Sequence, residues 1–136
     1  MTHVLLDTGP WVALIDRSEK RHKQCVEWFQ HFNGEIFSSE AVLTEVLYLL
    51  AFSARAQAAA LDFVLTGAVV LVPQSIESLK QVKSLMKKYK DLPMDFADAT
   101  LIVLAKDLGI DNIVTLDKKH FGIYRIGKQR YFNLLP

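Results

Sequence analysis

The sequence has a single cysteine, Cys25, among 136 residues. That excludes an internal disulfide framework and a thiolate cluster for structural zinc, and it suits a reducing compartment. Prolines and glycines are few and scattered, and neither a low-complexity tract nor a repeat of roughly 20 to 50 residues divides the chain. One domain over residues 1–136 is therefore expected. Long apolar runs are lacking as well: the longest, 63–72, is interrupted by Thr66 and Gly67 and falls short of the roughly 18 to 20 residues a membrane span needs. Asp7 closes the short apolar run Val4 to Leu6, which is not the plan of a signal peptide, so a cytoplasmic location is expected. Finally, the chain lacks a surplus of either charge. A formal net charge of +1 excludes the strongly basic footprint of a protein that coats nucleic acid, so any such contact has to be local.

What is present is enough for a core, at 51% hydrophobic and 23% charged residues. His3 to Leu6 reads as a strand that ends at the turn sequence Asp7-Thr8-Gly9-Pro10, before a brief helix over Trp11 to Ile15. A helix is expected from Ser18 to about Phe32, with Cys25, Val26, Phe29 and Phe32 on one face, and a short strand at Ile36-Phe37. Ser38 and Ser39 can cap a helix from Glu40 to about Phe52 whose apolar residues Val42, Leu43, Val46, Leu47, Leu49 and Leu50 give it an almost wholly buried character. An alanine-rich helix over Ala54 to Leu65, a strand over Val69 to Val72 and a helix from Ile76 to about Lys90 follow. That last helix buries Leu79, Val82, Met86 and Tyr89, and carries a stripe of Lys80, Lys83, Lys87 and Lys90 that reads as a solvated face. Asp95 to Leu108 reads as a helix stopped by Gly109, Ile113 to Leu116 as a strand ending at Asp117, and Tyr131 to Leu134 as a last edge strand. Short apolar strands alternating with helices predict an α/β fold with a parallel sheet, whose ligand site lies beyond the carboxyl ends of the strands, where Asp7 and Asp117 stand.

Each acid has an ordinary reading beside the functional one. Asp7 and Asp117 could be turn residues, and Asp95 with Asp98 has the spacing of an N-cap followed by an acidic third position. Glu45 is harder to dismiss, because its helical neighbours Ala41, Val42, Tyr48 and Leu49 are all apolar or aromatic and an unpartnered buried carboxylate is costly. Either a base or a metal ion from elsewhere in the fold must meet it. Were Asp7, Glu45, Asp98 and Asp117 to converge, each pair about 4 Å apart would repel by roughly 4 kcal/mol at an effective dielectric near 20. All-oxygen ligands select a hard divalent ion, Mg²⁺ or Mn²⁺, and such an ion can activate water against a phosphodiester.

With these residues in view, L-L-D-T-G-P-W-V-A-L-I-D (5–16), T-E-V (44–46), M-D-F-A-D-A-T-L-I-V-L-A (94–105) and I-V-T-L-D-K-K-H-F (113–121) together resemble the PIN-domain ribonucleases, over nearly the full chain. The resemblance implies a three-layer α/β/α fold with a parallel sheet of about five strands. It implies metal-binding roles for Asp7, Glu45, Asp98 and Asp117, with Thr8, Thr115 and Asp95 in support. It also implies an endoribonuclease cleaving single-stranded RNA, frequent homodimers, and membership, for many proteins of this size, in VapBC-type toxin–antitoxin pairs.

Other readings stand beside it. A housekeeping RNA-processing nuclease would need no antitoxin. A phosphoaspartyl enzyme of the haloacid-dehalogenase type should carry a second aspartate two residues after Asp7, where the sequence has Gly9. A non-catalytic binding protein would be expected to have lost acids that are all present here. His22, His31 and His120 read as surface or packing residues, and Trp11 and Trp28 as core. Lys118, Lys119 and Arg125 follow Asp117 closely enough to grip an RNA backbone.

Overall fold

The computed structural model describes residues 2–136. Five strands, β1 (Thr2–Leu6), β2 (Gly34–Ser38), β3 (Val70–Leu71), β4 (Asn112–Val114) and β7 (Asn133–Leu135), form one sheet in the order β3-β2-β1-β4-β7, with every pairing parallel. Val4, Leu5 and Leu6 are consecutive and all buried. Consecutive burial in a central strand means that both faces are covered, as the α/β/α reading requires.

The covering helices are α1 (Thr8–Ile15), α2 (His22–His31), α3 (Glu40–Leu49), α4 (Ala54–Leu65), α5 (Ile76–Lys88) and α6 (Phe96–Leu108). Of these α6 is the most enclosed: from Ala99 to Ala105 every residue is buried, and Gly109 ends it in the left-handed conformation at φ 66°. A one-turn helix α7 (Lys118–Phe121) and a hairpin of β5 (Arg125–Ile126) and β6 (Arg130–Tyr131) complete the chain. Gly34 starts β2 directly opposite Thr2, and a Cβ there would stand 2.0 Å from the Thr2 carbonyl oxygen.

Several boundaries differ from the sequence reading, each for a local reason. α1 begins at Thr8, not Trp11, because Asp7 caps it and Pro10 falls in the first turn, where the missing N–H costs nothing. α2 begins at His22, not Ser18, because Asp16 Oδ1 accepts bonds from the backbone N–H and the hydroxyl of Ser18, an Asx turn that competes with helix. α3 stops at Leu49, since Ser53 caps α4 and the chain must turn between them. Tyr131 belongs to the hairpin, and the sheet's edge strand is Asn133–Leu135. Neither α7 nor the hairpin was expected.

The buried character assigned to the 40–52 helix also needs correction. Val42, Val46 and Leu50 are core, but Tyr48, Leu49 and Phe52 are exposed. Leu79 of α5, expected in the core, is exposed too.

Candidate active site

Asp7, Asp95 and Asp117 do the same local job: each is the N-cap of a helix, accepting a backbone N–H with its own carboxylate. The N-terminal ends of α1, α6 and α7 carry partial positive charge, which favours carboxylates there. The topology brings these helix starts together beyond the carboxyl ends of β1 and β4, and the negative charges of Asp7, Asp95, Asp98 and Asp117 act on one another. α3 adds Glu45, on whose ionisation the charges of Asp95 and Asp7 also act. The charges of the sequence-derived acids therefore act on one another, and Asp95 adds its own charge to theirs besides capping α6.

Hydroxyl groups hold these carboxylates. Asp7 is only 7% exposed; its Oδ1 accepts from Thr8 N at 2.8 Å and its Oδ2 from Thr115 Oγ1 at 2.8 Å. Thr115 Oγ1 in turn accepts from Asp117 N at 3.0 Å, linking the two strand-end acids through one side chain. Thr8 Oγ1 donates to Glu45 Oε1 at 2.8 Å. Asp117 accepts from His120 twice, at its backbone N (3.2 Å) and ring Nδ1 (3.0 Å), and Asp98 accepts from Tyr124 Oη at 3.4 Å. Glu45 is half-buried, Thr8 supplies a hydroxyl to it, and no lysine or arginine pairs with it among the described residues.

Burial is the main force on the ionisation of these acids. It pushes Asp7 up to about 6 from an ordinary 3.8 against the bonds from Thr115 and Thr8, with the charges of Asp117 and Asp95 adding to the rise. Asp98 is pushed up to about 7, first by burial and then by the charges of Asp95, Asp7 and Asp117. Glu45 is also raised, by burial ahead of the neighbouring acids, and the Thr8 bond offsets part of this.

No lysine or arginine forms an ion pair with any of the five acids among the described residues; the pairs found are His3–Glu35, Lys80–Glu77, Arg130–Asp111 and His120–Asp117. Nor do any three Asp, Glu, His or Cys side chains among the described residues already close around a point as an ion's ligands. The acids share a negative field while their side chains lean on Thr8, Thr115, His120 and Tyr124. An all-oxygen donor set with no lysine or arginine paired to it among the described residues fits a hard divalent cation and does not fit zinc or copper.

The basic residues beyond Asp117 fare differently. Arg125 is spent internally, its Nη1 donating to the carbonyls of Gly122, Ile123 and Tyr124 while its guanidinium stacks over Tyr131 at 3.7 Å. Lys118 Nζ donates to the Pro136 carbonyl at 2.8 Å, and Lys119 is exposed. His120 and Tyr124 touch the acids, although the sequence reading placed the first among packing residues and did not single out the second.

A family model described as PIN domain matches residues 4–128. The chain belongs to the PIN-domain family, and the resemblance read from its motifs is borne out. It is 30% identical over 136 residues to the ribonuclease VapC26 of Mycobacterium tuberculosis, covering 98% of this chain and 100% of that one. Among solved structures it is similar to M. tuberculosis VapC20, described as a toxin that cleaves the sarcin–ricin loop, with a TM-score of 0.78 at 23% identity over 85% of this chain and 90% of that one. It is also similar to VapBC2 of Rickettsia felis bound to a promoter DNA fragment, with a TM-score of 0.68 at 17% identity over 99% and 100% of the two chains. At those identities the structural likenesses speak for the fold. Among the described residues no helix is long and apolar enough to cross a membrane.

Proposed function

We propose that the protein is a Mg²⁺- or Mn²⁺-dependent endoribonuclease that cleaves single-stranded RNA in the cytoplasm, and that it is the toxin of a toxin–antitoxin pair. The observation that carries the metal reading is a set of five acids beyond the carboxyl ends of parallel strands whose charges act on one another, with no lysine or arginine paired to any of them among the described residues. Asp7, Glu45, Asp98 and Asp117 would hold the ion, which when bound supplies an activated water and neutralises charge on the phosphodiester. The chain's own part is positional. Thr115 fixes Asp7, and Thr8 spans from the first turn of α1 to Glu45, so that strand ends and α3 present their carboxylates together. Lys119, on the rim beside Asp117, suits contact with the RNA backbone.

The partner reading rests on α3 and α4. Tyr48 and Leu49 follow Glu45 at i+3 and i+4, on the same face, with Tyr48 79% and Phe52 70% exposed. Leu61 and Leu65 extend the exposed apolar surface along α4. An antitoxin segment anchored there can direct an arginine or lysine onto the acids. The relative VapBC2 was solved as a toxin–antitoxin assembly, and a toxin–antitoxin complex from Klebsiella pneumoniae has the same fold at a TM-score of 0.64. A homodimer accompanies this reading.

The test is cleavage of a labelled single-stranded RNA with Mn²⁺, with EDTA, and by Asp98→Asn. Loss of cleavage in both of the latter, with the variant still folded, is expected. Activity that survives chelation, or wild-type turnover by Asp98→Asn, overturns the reading.

A further inference from the structure

The segment from α7 to β5 makes a second layer behind the acids. Tyr124 is 1% exposed, and three rings confine it: Tyr89 at 5.1 Å and 66°, Phe121 at 5.2 Å and 84°, and His120 at 6.3 Å and 22°. Edge-to-face contacts at these separations fix a ring's orientation, and a fixed ring fixes its hydroxyl. That hydroxyl reaches Oδ2 of Asp98, 26 residues away in sequence. His120, four residues before Tyr124 and stacked on it, donates Nδ1–H to the carboxylate of Asp117 at 3.0 Å. One turn of helix and the residues after it thus bond two acids from different places in the fold, Asp98 in the first turn of α6 and Asp117 at the N-cap of α7.

We propose that Tyr124 is a positioning residue for Asp98, and His120 for Asp117, so that the rigid α7 segment aims both carboxylates at the shared site. The inference rests on the metal-nuclease reading. Hydrogen-bond partners one layer behind the ligands commonly set metal affinity, and their loss costs about 10- to 100-fold in affinity or activity. Tyr124 bonds one carboxylate oxygen of Asp98, Oδ2, and among the described residues no side chain bonds the other, Oδ1. A packing role alone makes a different claim, because Phe in place of Tyr keeps the ring and its three aromatic neighbours.

The experiment titrates chelator-treated protein with MnCl₂ by calorimetry and measures kcat and KM on a labelled RNA, for wild type, Tyr124→Phe and Tyr89→Phe. Tyr89 is the matched control: it is buried against the same ring, and its hydroxyl accepts from Arg125 N instead of meeting an acid. Tyr124→Phe is expected to raise the Kd for Mn²⁺ and lower kcat by about 10-fold or more, with KM little changed, while Tyr89→Phe binds Mn²⁺ as the wild type does. His120→Ala should behave like Tyr124→Phe, and His120→Asn, whose amide N–H can replace Nδ1–H, should recover most of the loss. Wild-type Mn²⁺ affinity in Tyr124→Phe, or equal losses in both tyrosine variants, overturns the assignment. A wild type that itself binds no Mn²⁺ overturns the metal reading and this inference with it.

Discussion

Replacing Asp7 with Asn is expected to stabilise the metal-free protein at alkaline pH while destroying its function. Asp7 is buried, and its carboxyl is pushed from 3.8 up to about 6, so ionising it inside the folded protein costs on the order of 3 kcal/mol relative to the unfolded chain. The sign follows from the direction of the shift: with the folded value above the unfolded one, this group's stability is fully present below about pH 4 and is lost as pH rises through about 6. Asn carries no charge to bury. It can still accept from Thr8 N, but its amide cannot take the Thr115 hydroxyl's proton, and that bond costs about 1 kcal/mol. The net gain at pH 8 is about 2 kcal/mol, or roughly 5 to 10 °C in Tm for a domain of this size. Urea and thermal denaturation in EDTA at pH 4 and pH 8 give the comparison, and at pH 4, where Asp7 is already protonated in the folded state, the gain should vanish. A variant less stable than wild type at pH 8, or equally stabilised at both values, would refute the argument from burial.

Metal should relieve the cost of keeping these acids ionised: millimolar Mn²⁺ is expected to raise the Tm of the wild type at pH 8 and to leave an Asp7→Asn/Asp117→Asn double variant nearly unmoved, and equal shifts would show that the acids do not act as one site. Expression of the wild type alone should slow bacterial growth, with Asp7→Asn relieving it. Phe52→Glu should keep RNA cleavage while weakening capture by a co-expressed neighbouring antitoxin, and growth unimpaired by abundant active wild type would point to the housekeeping reading.

Much of this site was legible because acids stood where apolar patterning gave them no business. Asp7 and Asp117 end strand-like apolar runs, and Glu45 interrupts a helix of apolar neighbours. Asp95 was read correctly as a cap, but only the fold shows that its charge also acts on Glu45. The identity of Glu45's partner was not legible, since Thr8 lies 37 residues away. α7 and the β5–β6 hairpin were missed because elements of four and two residues carry no period to detect. Consequently the roles of His120 and Tyr124 were hidden, and Arg125 was expected to face RNA when its guanidinium closes the turn around 122–124. The exposed face of α3 was misread for the opposite reason: its residues are apolar all round, and composition cannot separate a face kept for a partner from one kept for the core.

Gly34 has a bearing on errors of assembly. Both faces of this sheet are covered, so the apolar pattern of β1 alone does not decide its register against β2, and a slipped pairing could still bury apolar side chains. Gly34 is the only residue from 29 to 39 without a Cβ, so a slipped pairing that kept this close approach would drive a β-carbon into the Thr2 carbonyl. A slip of two residues would also carry Asp7 roughly 6 to 7 Å along its strand relative to the start of α3, parting Thr8 from Glu45. One absent methyl group thus favours the strand register on which the meeting of Thr8 and Glu45 depends.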